Sequence, residues 1–285
     1  MKIKEFIAAT NICFCEENRL NAFIASVESA PDFQPRAASN PADDKPDDFY
    51  EEWMEAVYPP RPVMQVNEPA GFAIIPVFGM ISKGFSVFEQ RYFGLCDVDY
   101  ISAMVDLAAQ NPNIKTVIFY FNSPGGYIIG VPELSEKIAA LTAMTGKKTI
   151  GYADIISASA AYEMMAKCGT IHAAPSAIIG SIGTYCTYVD YSSMAEKAGI
   201  KVRVFASGTY KAMGVPGTSL TKEQADWIQS KIEKEAARFK AGVTAMRPAI
   251  AEETMQGQWL SGDEAVSSGL VDGLIPDLDT LLRTL

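Results

Sequence analysis

Residues 116–126 read TVIFYFNSPGG, and this stretch decides the fold class. Its first six residues form an uninterrupted apolar run, which is typical of a strand covered on both faces of a sheet. The proline and paired glycines that follow predict a turn. Similar strand patterns occur at 72–77, 148–153, 170–173 and 201–205, and helical patterns lie between or beside them at 98–110, 131–144 and 158–168. This alternation predicts an α/β fold with repeated βαβ units.

A long helix is predicted near the C-terminal end of the pattern. Thr221 and Gln224 match a capping box, and Pro248 ends the helical pattern. Between these two signals, apolar residues recur at helical spacing and form a stripe: Ala225, Ile228, Ile232, Ala236, Phe239 and Val243. Such a stripe predicts a helix with one buried face.

The first 65 residues have a different composition. Seven prolines between residues 31 and 62 alternate with acidic side chains. Residues 1–65 are therefore predicted to be an acidic, proline-rich arm, partly disordered, with helical pieces near 7–27 and 49–57. Residues 66–285 are predicted to form one domain.

Composition excludes several classes of function. The net charge of −10 argues against a nucleic-acid surface, and no segment has the length of a membrane span or the pattern of a signal peptide. The five cysteines form no CxxC pair, which indicates reduced thiols in a cytoplasmic protein. A zinc site at Cys13 and Cys15 would need two more ligands that the sequence does not supply, so no metal or cofactor is expected.

Ser159, in the run ISASAAY at 156–162, is the candidate nucleophile. A serine hydroxyl needs a base to take its proton. His172 is the single histidine, but it lies in an apolar strand pattern and is expected to be a core residue. Lys211 lies among small, aromatic and apolar residues, and a lysine amine can act as a base where burial favours its neutral form. The interpretation is a serine–lysine pair.

The turn after residue 121 supplies the third element. A strand, this turn and a helix in succession would place the amides of Gly125 and Gly126 at a helix N-terminus. Unpaired N–H groups and the helix dipole favour a developing negative charge there. These two amides are the candidate oxyanion hole.

Four motifs in this order resemble those of the signal peptide peptidase A family of serine peptidases. They are NSPGG at 122–126, SAAY at 159–162, IGSIG at 179–183 and SGTYK at 207–211, followed by a matching tail at 257–272. The resemblance covers residues 70–275. It implies that Ser159 is the nucleophile, that Lys211 is the general base, and that Gly125 and Gly126 form the oxyanion turn. Ser181 and Thr209 would support the site.

The resemblance also implies a ClpP/crotonase-like superfold and a homo-oligomeric ring. It leaves open whether Ser159 and Lys211 come from one chain or from two adjacent chains. The family usually has glycines after the nucleophile, whereas this chain has Ala160 and Ala161. Because alanine is small and favours the following helix, we expect activity to be retained.

The function hypothesis is a soluble serine endopeptidase that cleaves scaffold or capsid proteins during phage or prophage head maturation, in the host cytoplasm or the prohead. The acidic arm, in place of a membrane anchor, favours this branch over the branch that degrades signal peptides. Two alternatives of other classes stay open. One is an acyl-CoA hydratase or isomerase, for which Glu133 and Glu163 are the nearby acids, and the other is an inactive structural ring subunit.

Overall fold

A computed structural model describes residues 61–285. Its strands are β1 Gln65–Asn67, β2 Phe72–Phe78, β3 Met80–Ser82, β4 Leu95–Asp97, β5 Thr116–Ser123, β6 Lys148–Ala158, β7 Thr170–Ala173, β8 Ile178–Gly180, β9 Trp259–Ser261 and β10 Gly273–Leu274. Its helices are α1 Val87–Phe93, α2 Val98–Gln110, α3 Val131–Thr145, α4 Ala160–Met165, α5 Ser192–Lys197, α6 Lys222–Met246, α7 Gly262–Ser267 and α8 Leu278–Leu282, with a 3₁₀ turn at Glu252–Met255.

The main sheet has the order β1-β2-β5-β6-β7-β10, and every pair in it is parallel except β1 with β2. Helix α2 lies between β2 and β5 in the chain, α3 between β5 and β6, and α4 between β6 and β7. Each unit is a crossover between parallel neighbours, so the predicted α/β class with repeated βαβ units is confirmed.

Strand β6 changes partner along its length. Residues 150–153 pair with β7, whereas residues 156–158 pair with β8, which in turn pairs antiparallel with β9. The strand therefore extends beyond the edge at which β7 ends. It leads directly to Ser159, so the candidate nucleophile lies at the carboxyl end of the longest described strand, where ligand sites of parallel sheets are found.

Two apolar clusters cover the sheet. The larger cluster joins one face to α2, α3 and α4, and includes the fully buried Phe119, Phe121 and Tyr162. The smaller cluster lies on the other face, where Ile118 and Tyr152 pack with Leu281 of α8. Central strands with apolar residues on both faces are what the uninterrupted runs predicted.

Within residues 61–285, the predicted helices and strands agree with the structure except at one segment. The capping box of Thr221 and Gln224 starts α6, and the helix ends two residues before Pro248. The strand expected at residues 201–205 is wrong, because this segment forms no regular structure and all of its residues are exposed. Of the apolar stripe on α6, only Phe239 and Val243 are buried.

The elements above belong to one compact unit, which takes in the described residues except 187–189. The expected helices at 7–27 and 49–57, and Cys13 and Cys15, lie outside the described residues. The boundary at residue 65 stays a prediction. No helix between residues 61 and 285 has both the length and the apolar character needed to cross a bilayer.

Candidate active site

Ser159 lies at the junction of β6 and α4 with φ 53° and ψ −126°. A residue other than glycine at such angles costs of order 1–3 kcal/mol, and surrounding contacts must hold it there. Its N–H donates to the Gly180 carbonyl at 2.8 Å, and its carbonyl accepts from the Glu163 N–H at 3.0 Å. The hydroxyl-bearing residue is thus held in a strained turn between a strand and a buried helix.

The glycine turn contacts this serine. A Cβ placed on Gly125 would lie 2.7 Å from the Ser159 Cβ, 2.8 Å from the Ala158 oxygen and 3.0 Å from the Ala160 nitrogen. Gly125 also has φ +99°, which L side chains rarely adopt. Only glycine fits at this position, and the close approach brings the predicted oxyanion turn against the predicted nucleophile.

Strand β3 holds the other side of the turn. Ile81 donates its N–H to the Gly125 carbonyl at 2.8 Å and accepts from the Tyr127 N–H at 2.9 Å. A Cβ on Gly126 would lie 2.2 Å from the Ile81 oxygen, so this residue too must be glycine. The Gly126 N–H takes part in neither of these two hydrogen bonds.

The expectation that these glycines stand at a helix N-terminus is wrong. Helix α3 begins at Val131, after an intervening turn whose last residue, Gly130, caps it. The helix N-terminus at the site belongs instead to α4, whose first amides have no partner within the helix. The Ala160 N–H is therefore a further donor beside Ser159, which the sequence reasoning missed although the start of a helix after Ser159 was visible in the sequence.

Ser123 also takes part in the turn. It is fully buried at the end of β5, and its Oγ accepts the Gly125 N–H at 3.2 Å. The Gly125 N–H is thus directed at Ser123 Oγ, and it would have to leave or share this acceptor to donate to an oxyanion.

Lys211 lies in a turn at the end of a wholly exposed segment, residues 196–211. Its backbone N–H donates to the Gly208 carbonyl at 3.1 Å, and its side chain makes no hydrogen bond or ion pair with any of the residues 61–285. Thr209 is exposed in the same segment, and its carbonyl accepts from Gln224 of α6. The structure thus joins neither Lys211 nor Thr209 to Ser159 by a hydrogen bond.

Ser181 is linked to Ser159 more directly than Thr209 is, because it directly follows a residue that hydrogen-bonds to Ser159. It follows Gly180, whose carbonyl accepts the Ser159 N–H, and its own N–H donates to the Gln258 carbonyl at 2.8 Å. Its φ of 51° is in the left-handed region. The backbone at Ser181 therefore turns sharply one residue after the strand that holds Ser159.

His172 lies on β7, as expected from its strand pattern. Its ring is half-buried, and burial lowers its pKa below the usual value, while Asp272 acts in the opposite direction. In the sheet His172 is opposite Tyr152, seven residues before Ser159, which corresponds to about 20 Å along a strand. It is a half-buried residue of the sheet, less buried than expected, and not a partner of Ser159.

Of the two carboxylates named for an acyl-CoA hydratase, Glu163 is held in an ion pair and Glu133 is exposed. Glu163 is buried on α4, and Arg238 donates to both of its oxygens. Glu133 lies in the first turn of α3. Ala160 and Ala161, which replace the family's glycines, are the first two residues of α4 and are buried in the core, so their methyl groups are accommodated by packing.

Comparisons with known proteins show which families and proteins this chain is similar to. A family model described as peptidase family S49 matches residues 142–283, a range that contains Ser159 and Lys211. A protein of Methanocaldococcus jannaschii named as a protease is 30% identical over 205 residues, which are 71% of this chain and 64% of that protein. Capsid assembly protease C of Escherichia phage lambda is 24% identical over 225 residues, which are 78% of this chain and 50% of that protein.

The chain spans less than two thirds of the length of either relative. Among solved structures, a ClpP1 mutant from Listeria monocytogenes aligns with a TM-score of 0.46 and 13% sequence identity, over 75% of this chain and 96% of that one.

Proposed function

Because the chain belongs to peptidase family S49, we propose that it is a serine endopeptidase with Ser159 as nucleophile and Lys211 as general base. The observation that carries this proposal is the close approach of Gly125 to a strained Ser159, with the Ala160 amide beside both. A nucleophile on a sharp turn next to converging backbone donors is the arrangement that acyl transfer requires.

The proposed reaction has two halves. The neutral Lys211 amine takes the proton of Ser159 Oγ as this oxygen attacks the peptide carbonyl, and the carbonyl oxygen becomes an oxyanion. The amides of Gly125 and Gly126, together with that of Ala160, donate to the oxyanion. The ammonium then gives its proton to the departing amine, and the acyl-enzyme is hydrolysed by water with the same lysine as base.

We further propose that a neighbouring copy of the chain supplies Lys211 in a ring. Residues 196–211 are all exposed in the single chain, although Ile200, Val204 and Phe205 are apolar and Phe205 is 93% exposed. Exposed apolar side chains clustered on one segment are typical of a surface that another protein covers. Such docking would also remove the Lys211 amine from water, which favours its neutral form.

The proposed substrates are scaffold or capsid proteins in phage or prophage head maturation. Support comes from the similarity to capsid assembly protease C of phage lambda over most of this chain. Degradation of signal peptides is the alternative within the same family. An assay that offers both a capsid or scaffold protein and a signal peptide as substrates separates the two.

The dyad is tested by co-expression with a candidate capsid or scaffold protein. Ser159→Ala and Lys211→Met are each expected to abolish cleavage, whereas Lys148→Met, a change of an exposed lysine at the start of β6, is expected to leave it intact. Cleavage that survives both dyad substitutions would refute the proposal. An acyl-CoA hydratase activity that survives them would support the other enzyme class.

Mixing the two inactive variants tests the ring. If neighbouring chains form each site across a head-to-tail interface, co-assembly of Ser159→Ala with Lys211→Met restores about a quarter of the wild-type activity, because random pairing unites an intact serine with an intact lysine in that fraction of sites. If one chain supplies both residues, the mixture stays inactive.

A further inference from the structure

A buried ion pair joins the helix of the nucleophile to α6, the longest of the described helices. Glu163 of α4 has a side chain only 5% exposed, and Arg238 of α6 contacts it at 2.5 Å. The second guanidinium nitrogen donates to the other carboxylate oxygen at 3.2 Å, and Nε binds Glu235 at 2.9 Å. The fork therefore fixes the direction of the carboxylate as well as its charge.

Helix α4 needs such anchors because it has only six residues, all of them buried. A helix this short has little stability of its own and takes its orientation from packing. Two polar side chains fix its rotation. Tyr162 donates to the Leu270 carbonyl at 2.8 Å, and Glu163 binds Arg238. Ser159 and the Ala160 amide stand at the N-terminal end of this helix, so its rotation sets where both of them point.

The other end of α6 holds the segment that carries Lys211. Gln224 donates to the Thr209 carbonyl at 2.5 Å, and Tyr210 donates to Glu223 at 3.0 Å. The Tyr210 ring stacks on Trp227 with centroids 5.4 Å apart. From residue 224 to residue 238 the helix extends about 21 Å.

Helix α6 is fixed to the core at its Arg238 end. Its two buried residues, Phe239 and Val243, are there, and Arg247 at its C-terminal end donates to the Cys168 carbonyl and to Asp272. The half that holds the Lys211 segment buries no residue within the chain. A change in the orientation of α6 at Arg238 would therefore move Tyr210 and Thr209, which contact its other end.

We propose that Glu163 and Arg238 are positioning residues that couple the orientation of Ser159 to the placement of the Lys211 segment. This inference rests on the proposed peptidase function. The coupling requires the two-point geometry of the guanidinium, since a lysine would keep the charge and lose the fork. The proposed coupling applies whether Lys211 acts in the site of its own chain or in that of a neighbour. In both cases the contacts with α6 set the position of the Lys211 segment.

The test compares steady-state peptide hydrolysis, melting temperature and oligomeric state in Glu163→Gln, Arg238→Lys and the double variant. Both single variants are expected to lower kcat about 10- to 100-fold with KM changed less than about twofold, since a displacement of the order of 1 Å has effects of this size. The double variant is expected to be no slower than the slower single variant, because the two residues act as one unit.

Lys137→Met is the matched control. Lys137 of α3 forms an ion pair with Asp106 of α2 at 2.6 Å, and its side chain is 33% exposed, against 35% for Arg238. The control removes an ion pair between helices that carry neither Ser159 nor Lys211, and its carboxylate is 55% exposed, against 5% for Glu163. Because an exposed pair contributes less to stability, the control is expected to lower the melting temperature by less than Arg238→Lys does and to keep kcat within about twofold of wild type.

Three results would overturn the inference. They are wild-type kcat in folded Glu163→Gln, a loss of rate in Lys137→Met equal to that in Arg238→Lys, and effects that multiply in the double variant. The Ser159→Ala variant is measured beside them. Wild-type hydrolysis that survives Ser159→Ala refutes the proposed function itself, whereas hydrolysis that depends on Ser159 and is unaffected by Glu163→Gln refutes only the coupling.

Discussion

Gly125→Ala is the substitution whose effect the structure determines most closely. The new methyl carbon would stand 2.7 Å from the Ser159 Cβ and 2.8 Å from the Ala158 oxygen, and ordinary contacts begin at 3.4 Å. The serine must therefore retreat by about 0.7 Å, or the turn must move away from it. Alanine at φ +99° adds about 1–2 kcal/mol of backbone strain.

These displacements fall on the reacting atoms. Because a shift of about 1 Å can cost 100-fold in rate, we expect Gly125→Ala to lower kcat/KM by about 30- to 100-fold. The assay combines hydrolysis of a peptide substrate with the rate at which Ser159 reacts with a fluorophosphonate, which reports the nucleophile without the substrate. Both rates are expected to fall together.

Gly146→Ala separates this effect from a general loss of stability. Gly146 ends α3 with φ +74°, and a Cβ there would meet no atom within 4 Å. It is expected to cost a similar backbone strain and to leave both rates within about twofold of wild type. Fluorophosphonate reactivity of Gly125→Ala within about threefold of wild type would refute the claim that this turn contacts the nucleophile.

Buried polar groups elsewhere give three further expectations. Lys147 is 7% exposed and donates to the Ala108 carbonyl at the end of α2, so Lys147→Met is expected to lower the free energy of unfolding by about 1–3 kcal/mol in urea denaturation, with the rate per folded molecule unchanged. Tyr162→Phe leaves a buried carbonyl without its donor and is expected to cost about 1–2 kcal/mol in the same measurement; no change would mean that α4 does not depend on this anchor. Burial lowers the pKa of His172, so below pH 6.5 the unfolded chain holds more protons than the folded one, and the free energy of unfolding falls as the pH drops from 7 to 5.5. That loss is at most about 1.4 kcal/mol per pH unit, less for a half-exposed ring, and is expected to disappear in His172→Gln, because the chain has no other histidine; an unchanged slope would contradict the assignment.

The central sheet could be predicted from the sequence because its signals are local. The run at 116–121 is long, apolar and followed by a turn, and β5 occupies it with two more residues. The capping box at Thr221 likewise fixes the start of α6 through side chains three residues apart. Patterns of this kind depend on neighbours in the chain, so they are visible without the fold.

The geometry of the glycine turn could not be predicted in the same way. Ile81 of β3 lies over Gly126, and the two residues are 45 positions apart in the sequence. The turn therefore lies against β3 and not at the start of α3. The helix N-terminus beside Ser159 is that of α4, whose first amide is the Ala160 N–H. Which helix faces a turn is a property of sheet order, and no local pattern gives it.

The remaining differences between prediction and structure concern residues 201–205 and the first half of α6. The strand expected at 201–205 has no partner among the described residues, and on α6 the first half of the apolar stripe is uncovered, with Ala225 exposed and Ile228 and Ile232 only half-buried. A hydrophobic pattern indicates that a face is buried and does not say which chain buries it. Both patterns flank Lys211, the one residue of the proposed dyad that the single chain leaves exposed. These residues have a pattern typical of buried positions, but the single chain does not bury them. This is expected if a neighbouring copy covers them and completes the site. The mixing of Ser159→Ala with Lys211→Met tests directly whether two chains form the site.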